Sequence, residues 1–414
     1  MAAGRRMAAV DAQFYWTSAK IPNDEFLLYA FDGAPADPGR AVEEILVRGR
    51  GCPELAVRVE EGSRLAYPRW VPATVGPQWL VRHDLGGDSW SGCLTAVVGL
   101  ARSQLDARRM PWRLHLFSPV RGIPGVDGPG AVAVMQVAHA LADGNRAAAM
   151  AARLLGRPTP VPRVPEPRSG FLPARAVQAA RTHHRFERDT RAGLLAPGLG
   201  SRPPLPTNAR PDGAISVRTV VRRRAQLPGP TVTVGVLGAV STALSRLIGA
   251  AADSLGAEVP MAKPGERQAN NHFGNVVVGL YPTLEPGLRA ERIAADLANG
   301  RRRFEHPATG AADRALAAVP ASLLRWGVAQ FDPDVRPAEV AGNTVVSSVY
   351  RGAADLGLGE ARVVLTAGFP ALSPMMGLTH GVHGIGETVV ISVHAAESAV
   401  GDIDAYVRLL DAAL

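Results

Sequence analysis

Residues 130–138 of this 414-residue chain read Gly-Ala-Val-Ala-Val-Met-Gln-Val-Ala, an almost unbroken apolar run that ends on His139. A strand that is apolar at nearly every position has to be covered on both faces. The run therefore demands layers above and below it, and excludes a sheet with one wet side. Asp143 and Gly144 follow, and an alanine-rich helical pattern occupies 147–155. Asp143 stands where a helix N-cap belongs. Strand, short turn and capped helix make an α/β arrangement, and they leave His139 at the strand end. A fixed backbone there can hold a general base toward a cleft. Gly144 would let a neighbouring backbone or a ligand approach closely.

The remaining pattern extends this plan over two domains, since 414 residues exceed one typical core. In the first half, 40–48 is an amphipathic helix pattern, while 54–60 and 112–117 alternate apolar and polar residues as half-buried strands do. Residues 157–168 are proline-rich and extended, 174–195 reads as a helix, and 197–206 is again rich in Pro and Gly. We take 157–213 as a crossover linker between an N-terminal domain, 1–156, and a C-terminal domain, 214–414. The second half offers a basic strand at 215–224, an apolar helix at 233–251, strands at 275–280, 343–349 and 388–394, and a capped terminal helix at 402–410. The expected fold class is α/β (α+β), with mixed sheets flanked by helices.

Composition removes several functions. The formal charge of +8 is almost wholly arginine, because Lys20 and Lys263 are the only lysines. Such charge suits a polyphosphate-bearing co-substrate, an acidic carrier protein or an anionic lipid surface. No run interleaves aromatic with basic residues, so no nucleic-acid partner is expected. Two cysteines, Cys52 and Cys93, exclude a disulfide scaffold and fit a reducing cytoplasm. The start of the chain lacks the apolar core of a secretory signal. The most apolar window, 232–252, contains Thr233, Ser241 and Arg246 and reads as a buried helix rather than a membrane span. The histidines are dispersed without metal-ligand spacing, so no metal is expected. His183-His184 lies in a charged helical stretch and reads as a solvated face, and 86–92 reads as a glycine-rich loop rather than a nucleophile elbow. Trp112 is expected to anchor the core, and Asn270 and Asn271 to sit in a turn.

Several segments in order resemble the bacterial wax ester synthase/diacylglycerol acyltransferase family, within the superfamily of CoA-dependent acyltransferases and condensation domains. The family's His-His-x-x-x-Asp-Gly motif is matched by Ala138-His139-Ala-Leu-Ala-Asp143-Gly144. Its Arg-Pro-Leu-Trp element is matched by Arg109-Met-Pro-Trp112, and further similar segments are Arg64-Leu-Ala-Tyr-Pro-Arg-Trp70-Val and Val81-Arg-His-Asp-Leu85. In the second half, Asn270-Asn-His-Phe-Gly274-Asn275, Asn343-Thr-Val-Val-Ser347, Glu360-Ala-Arg-Val-Val and the terminal Asp402-Ile-Asp-Ala helix fall in family order.

The resemblance implies two domains like chloramphenicol acetyltransferase, with an active-site tunnel at their interface. It implies acyl-CoA as co-substrate with no bound cofactor, and an alcohol or diacylglycerol acceptor. The product would be an ester of the wax or triacylglycerol kind. His139 would be the general base that deprotonates the acceptor directly, with no acyl-enzyme intermediate. Asp143 would pair with an arginine and hold the loop, and Gly144 would keep the tunnel open. Asn275 and Ser347 are candidates for oxyanion or tunnel residues. A lipid acceptor would add reversible attachment to a membrane or lipid-droplet surface. The chain departs from the family at Ala138, where the first His stands, at Thr233-Val234 for the Asn-Asp pair, at Lys263 for an arginine, and at Ser347-Ser-Val-Tyr-Arg-Gly for Ser-Asn-Val-Pro-Gly-Pro. These departures leave two alternatives: a specialised-metabolism acyltransferase or condensing enzyme using a carrier-protein donor or a polar acceptor, and a non-catalytic acyl-CoA- or lipid-binding homologue.

Overall fold

A computed structural model describes residues 4–86, 89–168, 170–249 and 254–414. Fifteen strands occur among the described residues. In the first half they are β1 Arg5–Arg6, β2 Glu25–Asp32, β3 Val57–Glu60, β4 Arg69–Pro72, β5 Leu80–His83, β6 Trp112–Val120 and β7 Gly130–Val137. In the second half they are β8 Ile215–Arg223, β9 Gly256–Ala262, β10 Phe273–Gly279, β11 Thr344–Tyr350, β12 Gly357–Leu358, β13 Ala361–Phe369, β14 Leu378–Ile385 and β15 Thr388–Ala396. They form one six-stranded sheet in the order β12-β13-β2-β7-β6-β5, another in the order β10-β9-β11-β14-β15-β8, and a small sheet β1-β4-β3. Both large sheets are mixed, with β5 parallel to β6, and β11 parallel to β9 and β14.

The run at 130–138 is a central strand, β7, buried at all eight positions. The two-residue period of a strand sorts its side chains cleanly. Ala131, Ala133, Met135 and Val137 enter a core with the helices Ala9–Thr17, Pro38–Arg50 and Gly144–Leu154. Val132 and Val134 enter the opposite layer with the helix Trp90–Leu100. β2 divides in the same way: Leu27, Tyr29 and Phe31 lie on the first face, and Phe26, Leu28 and Ala30 on the second. Trp112 is buried in the first core, and its indole N–H donates to the Leu55 carbonyl at 2.9 Å.

The two halves are more entwined than a boundary between 156 and 214 implies. β12 and β13 lie in the C-terminal half of the chain, yet β13 pairs with β2 along its length. The helix Trp90–Leu100 packs in a layer that includes Val217 of β8 and Val390 of β15. At the seam between the sheets, a Cβ on Gly381 of β14 would collide with the Gly368 carbonyl of β13. Glycine is required there because the backbones themselves touch. The expected linker is also partly built into the second half: Arg202, Thr207 and Asn208 are buried, and Asn208 donates to the carbonyls of Gly342 and Met375.

Local expectations were met unevenly. The helix Leu172–Arg191 has no buried residue, and His183 and His184 are exposed beside Glu187. The strand expected at 54–60 occupies only Val57–Glu60. The loop expected at 86–92 is corrected, because Ser89 caps the helix Trp90–Leu100 by accepting from Gly92 N. Its glycine density hid the start of that helix; residues 87 and 88 lie outside the described residues. The helix at 233–251 runs Val232–Ile248 and is capped by Gly249 with a positive φ. The rest of that expectation, at 250–251, lies outside the described residues, as do residues 1–3. Among the described residues, no helix is long and apolar enough to cross a membrane.

Candidate active site

β7 ends with Val137 opposite both Glu25 of β2 and Trp112 of β6. Ala138 N still donates to the Pro111 carbonyl, and Leu141 N to Ala138 O, so the turn that carries His139 stays tied to the sheet. The imidazole stacks on Phe14 at a centroid distance of 4.1 Å and lies 5.8 Å from Phe273 of β10. Burial in these surroundings lowers its pKa. The carbonyls of His139 itself and Ala142, together with the Asp143 charge and the Asn271 side chain, oppose that shift without cancelling it. The ring is thus held toward the neutral form that a general base needs.

Asp143 does not orient the ring. It caps the helix Gly144–Leu154 by accepting from Arg146 N at 3.0 Å, and accepts from His272 N at 2.8 Å. Arg267 grips it with two nitrogens, at 2.8 and 3.1 Å. Burial pushes this carboxyl up, but Arg267 and the two backbone N–H groups outweigh that effect, so it titrates below the ordinary carboxylate range. Arg267 comes from the β9–β10 connection, so the contact locks the second half of the molecule onto the His139 turn.

Asn270 and Asn271 belong to the same connection and are buried rather than solvated turn residues. Asn271 Nδ2 donates to the His139 carbonyl at 2.8 Å and to Asp11 Oδ1 at 3.0 Å. Asn270 Nδ2 donates to Ala140 O at 3.0 Å, and both backbone N–H groups donate to Asp11 at 2.9 Å. Burial raises the Asp11 carboxyl to about 6, against those hydrogen bonds. Four side chains from two distant segments, Asp11, Arg267, Asn270 and Asn271, therefore fix one five-residue turn.

Two cavities meet at His139. One, of about 720 Å³, is bordered by His139, Asp143, Gly144, Asn275 and Ser347. The other, of about 530 Å³, reaches His139 past Ala138, Tyr15 and Arg325; Phe14, Asn23, Asp24 and His139 border both. The five site residues singled out from sequence thus share one wall. No hydrogen bond joins Ser347 or Asn275 to His139, and the Asn275 amide donates to Glu258 at 2.8 Å. Thr233, at the position of the family's Asn-Asp pair, donates to Ser348 on the cavity wall at 3.0 Å. A Cβ on Gly144 would meet only Val349, at an ordinary 3.5 Å, so neighbouring protein atoms do not require the glycine.

Sequence reasoning missed Glu25. Its Oε1 lies 3.6 Å from His139 Nε2, and its Oε2 is buried without a protein partner. Burial raises this carboxyl to about 8, helped by Asp143 and Asp24 and opposed by Arg351. The available signal was a glutamate opening the otherwise apolar strand Phe-Leu-Leu-Tyr-Ala-Phe. It stands on the Leu27, Tyr29 and Phe31 side of β2, where the period calls for an apolar residue.

No family model matches the sequence, and no curated protein does. Solved structures do match in fold. The wax ester synthase/diacylglycerol acyltransferase from Marinobacter aquaeolei VT8 superposes with a TM-score of 0.64 at 16% identity, over 99% of this chain and 97% of that one. The first condensation domain of the calcium-dependent antibiotic synthetase, in complex with a substrate analogue, gives 0.62 at 14%, over 100% and 96%. A starter condensation domain of rhizomide synthetase, in complex with C8-CoA, gives 0.61 at 12%, over 100% and 95%. At identities this low the superpositions show the fold alone, the two-part fold that these structures share.

Proposed function

We propose that this protein is an acyl-CoA-dependent O-acyltransferase that makes an ester of the wax or triacylglycerol type, with His139 as general base. The observation that carries the reading is His139 itself: a largely buried imidazole, its pKa lowered by burial, at the junction of two cavities that would take one substrate each. The acceptor hydroxyl would give its proton to Nε2 as its oxygen attacks the thioester carbon. The C–S bond then breaks, and the departing thiolate takes the same proton back. Among the described residues no serine or cysteine hydrogen-bonds to His139, and Asp143 is held by Arg267, which favours direct attack over an acyl-enzyme. A lipid acceptor would draw the protein to a membrane or lipid-droplet surface. A second reading keeps the site and takes the acyl group from a carrier protein; the near-equal TM-scores to condensation domains favour keeping it.

The test is release of free thiol from acyl-CoAs of several chain lengths with alcohol, monoacylglycerol and diacylglycerol acceptors. Native protein and H139A are compared. Acceptor-dependent release should fall in H139A by on the order of 10²–10⁴-fold. The rate of native protein should drop with acidification only below the ordinary histidine range, because burial lowers the His139 pKa and protonation removes the base. Unchanged release in H139A would remove His139 from this role. Release from acyl-carrier protein but not from acyl-CoA would favour the second reading.

A further inference from the structure

A base whose reactive nitrogen faces a carboxyl group can be disabled by it. If Glu25 were ionised, its Oε1, 3.6 Å from His139 Nε2, would favour a proton on that nitrogen and fill the lone pair that must accept the substrate proton. If Glu25 is protonated and its O–H is turned from the ring to the cavity, Nε2 keeps its lone pair and the site gains an O–H donor beside it. The other candidate donors are less well placed: the Asn275 amide is engaged by Glu258, and no hydrogen bond links Ser347 to the base. Glu25 borders the 720 Å³ cavity, and since its Oε2 is buried without a protein partner, Oε1 is the oxygen a substrate can meet.

We propose that Glu25 is a second catalytic group, acting as a neutral carboxylic acid whose O–H donates a hydrogen bond to the acyl carbonyl oxygen while the acceptor attacks. The inference rests on the acyl-transfer reading. No proton leaves Glu25: His139 takes the acceptor proton and returns it to the thiolate, while the Glu25 hydrogen bond shortens as negative charge develops on the carbonyl oxygen. A carboxyl kept neutral in a dry site so that it can donate is a known catalytic device.

The surroundings are consistent with this state. Asp24 precedes the strand, Asp143 and His139 follow β7, and Arg351 follows β11. Two carboxylates and burial disfavour a third negative charge, and Arg351 opposes them. Their balance raises Glu25 to about 8. Arg351 is meanwhile committed to the Leu28 and Ala367 carbonyls and to Thr366. β2 fixes the position, because Glu25 lies in register with Val137, two residues before the base.

Infrared difference spectra of native protein against the near-isosteric E25Q, at about pH 7, test the protonation state without relying on activity. The native spectrum should carry the carbonyl stretch of a protonated carboxyl, and E25Q should lack it; a native protein without that band overturns the proposal. Thiol release then tests the role. E25A should lose on the order of 10²-fold in kcat, while E25Q, whose amide N–H can still donate, should remain roughly tenfold or more faster than E25A. Native activity should decline as pH rises through the Glu25 pKa, where the donor is lost, and E25Q should lack that alkaline limb. An E25A rate within roughly threefold of native, or an identical alkaline limb in E25Q, overturns the role of Glu25 and leaves His139 untouched. A native protein inert with every acyl-CoA and carrier-protein donor fails the acyl-transfer reading itself, and this role with it.

Discussion

Two polar clusters meet at the His139 turn, and they are satisfied to different degrees. Behind the turn, Asp11, Asp143, Arg267, Asn270 and Asn271 interlock through hydrogen bonds of 2.6–3.1 Å. In front of it, Glu25 Oε2 and His139 Nδ1 are buried with no hydrogen-bond partner. A buried polar group without a partner costs about 1–3 kcal/mol; among the five rear side chains only Asn271 Oδ1 is so placed, so the rear cluster is the better satisfied of the two. The difference teaches how the site is divided. The rear cluster ties the His139 turn to both halves of the molecule, and the front cluster leaves two buried polar atoms unpaired beside the cavity.

Substitutions can break this contrast at four strengths. D143A should have the largest effect on folding, because it leaves the largely buried Arg267 guanidinium with backbone carbonyls alone and removes acceptors for Arg146 N and His272 N. A loss of about 3–5 kcal/mol is expected, measured by denaturant unfolding; a loss under about 1 kcal/mol would show that the rear cluster is not structural. N271A deletes two hydrogen bonds, to the His139 carbonyl and to Asp11, and should cost about 1–3 kcal/mol. It should also lower kcat more than it raises KM, because the turn that aims the base loosens. H139A removes the base with no side-chain hydrogen bond to lose. It should therefore lower thiol release by on the order of 10²–10⁴-fold while moving stability by only about 1 kcal/mol, the scale of its stacking on Phe14. A large fall in Tm would instead place His139 with the rear cluster.

G144A should be the mildest. Its Cβ would touch only Val349, and alanine favours the first turn of the helix, so stability should stay within about 0.5 kcal/mol of native. The methyl group would narrow the cavity, and KM should rise more for bulky substrates than for small ones. Equal KM changes across substrate sizes would remove Gly144 from the substrate path.

How much was legible in sequence depended on distance along the chain. The apolar run, the Asp143 cap and the alanine-rich helix are local, and the residues of 130–155 announce them through periodicity and capping chemistry. The helix Trp90–Leu100 was missed because glycines at 86, 87 and 92 read as loop, whereas its burial between two sheets is what stabilises it. Glu25 was missed for another reason. A single carboxyl in an apolar strand carries no periodic signal, and its meaning comes only from the His139 ring opposite.

By itself, the sequence determined that a doubly covered strand leads to His139 and that Asp143 begins a helix beside it. These are consequences of side-chain period and backbone capping, which operate within a few residues. Tertiary structure alone decided that Arg267, 124 residues away, holds Asp143, and that Asp11, 259 residues from Asn270, anchors the loop. It alone brought β13 back into the first sheet and set Glu25 against the base. Such pairings depend on which surfaces bury one another, and pair energies that act only at contact leave no pattern along the chain.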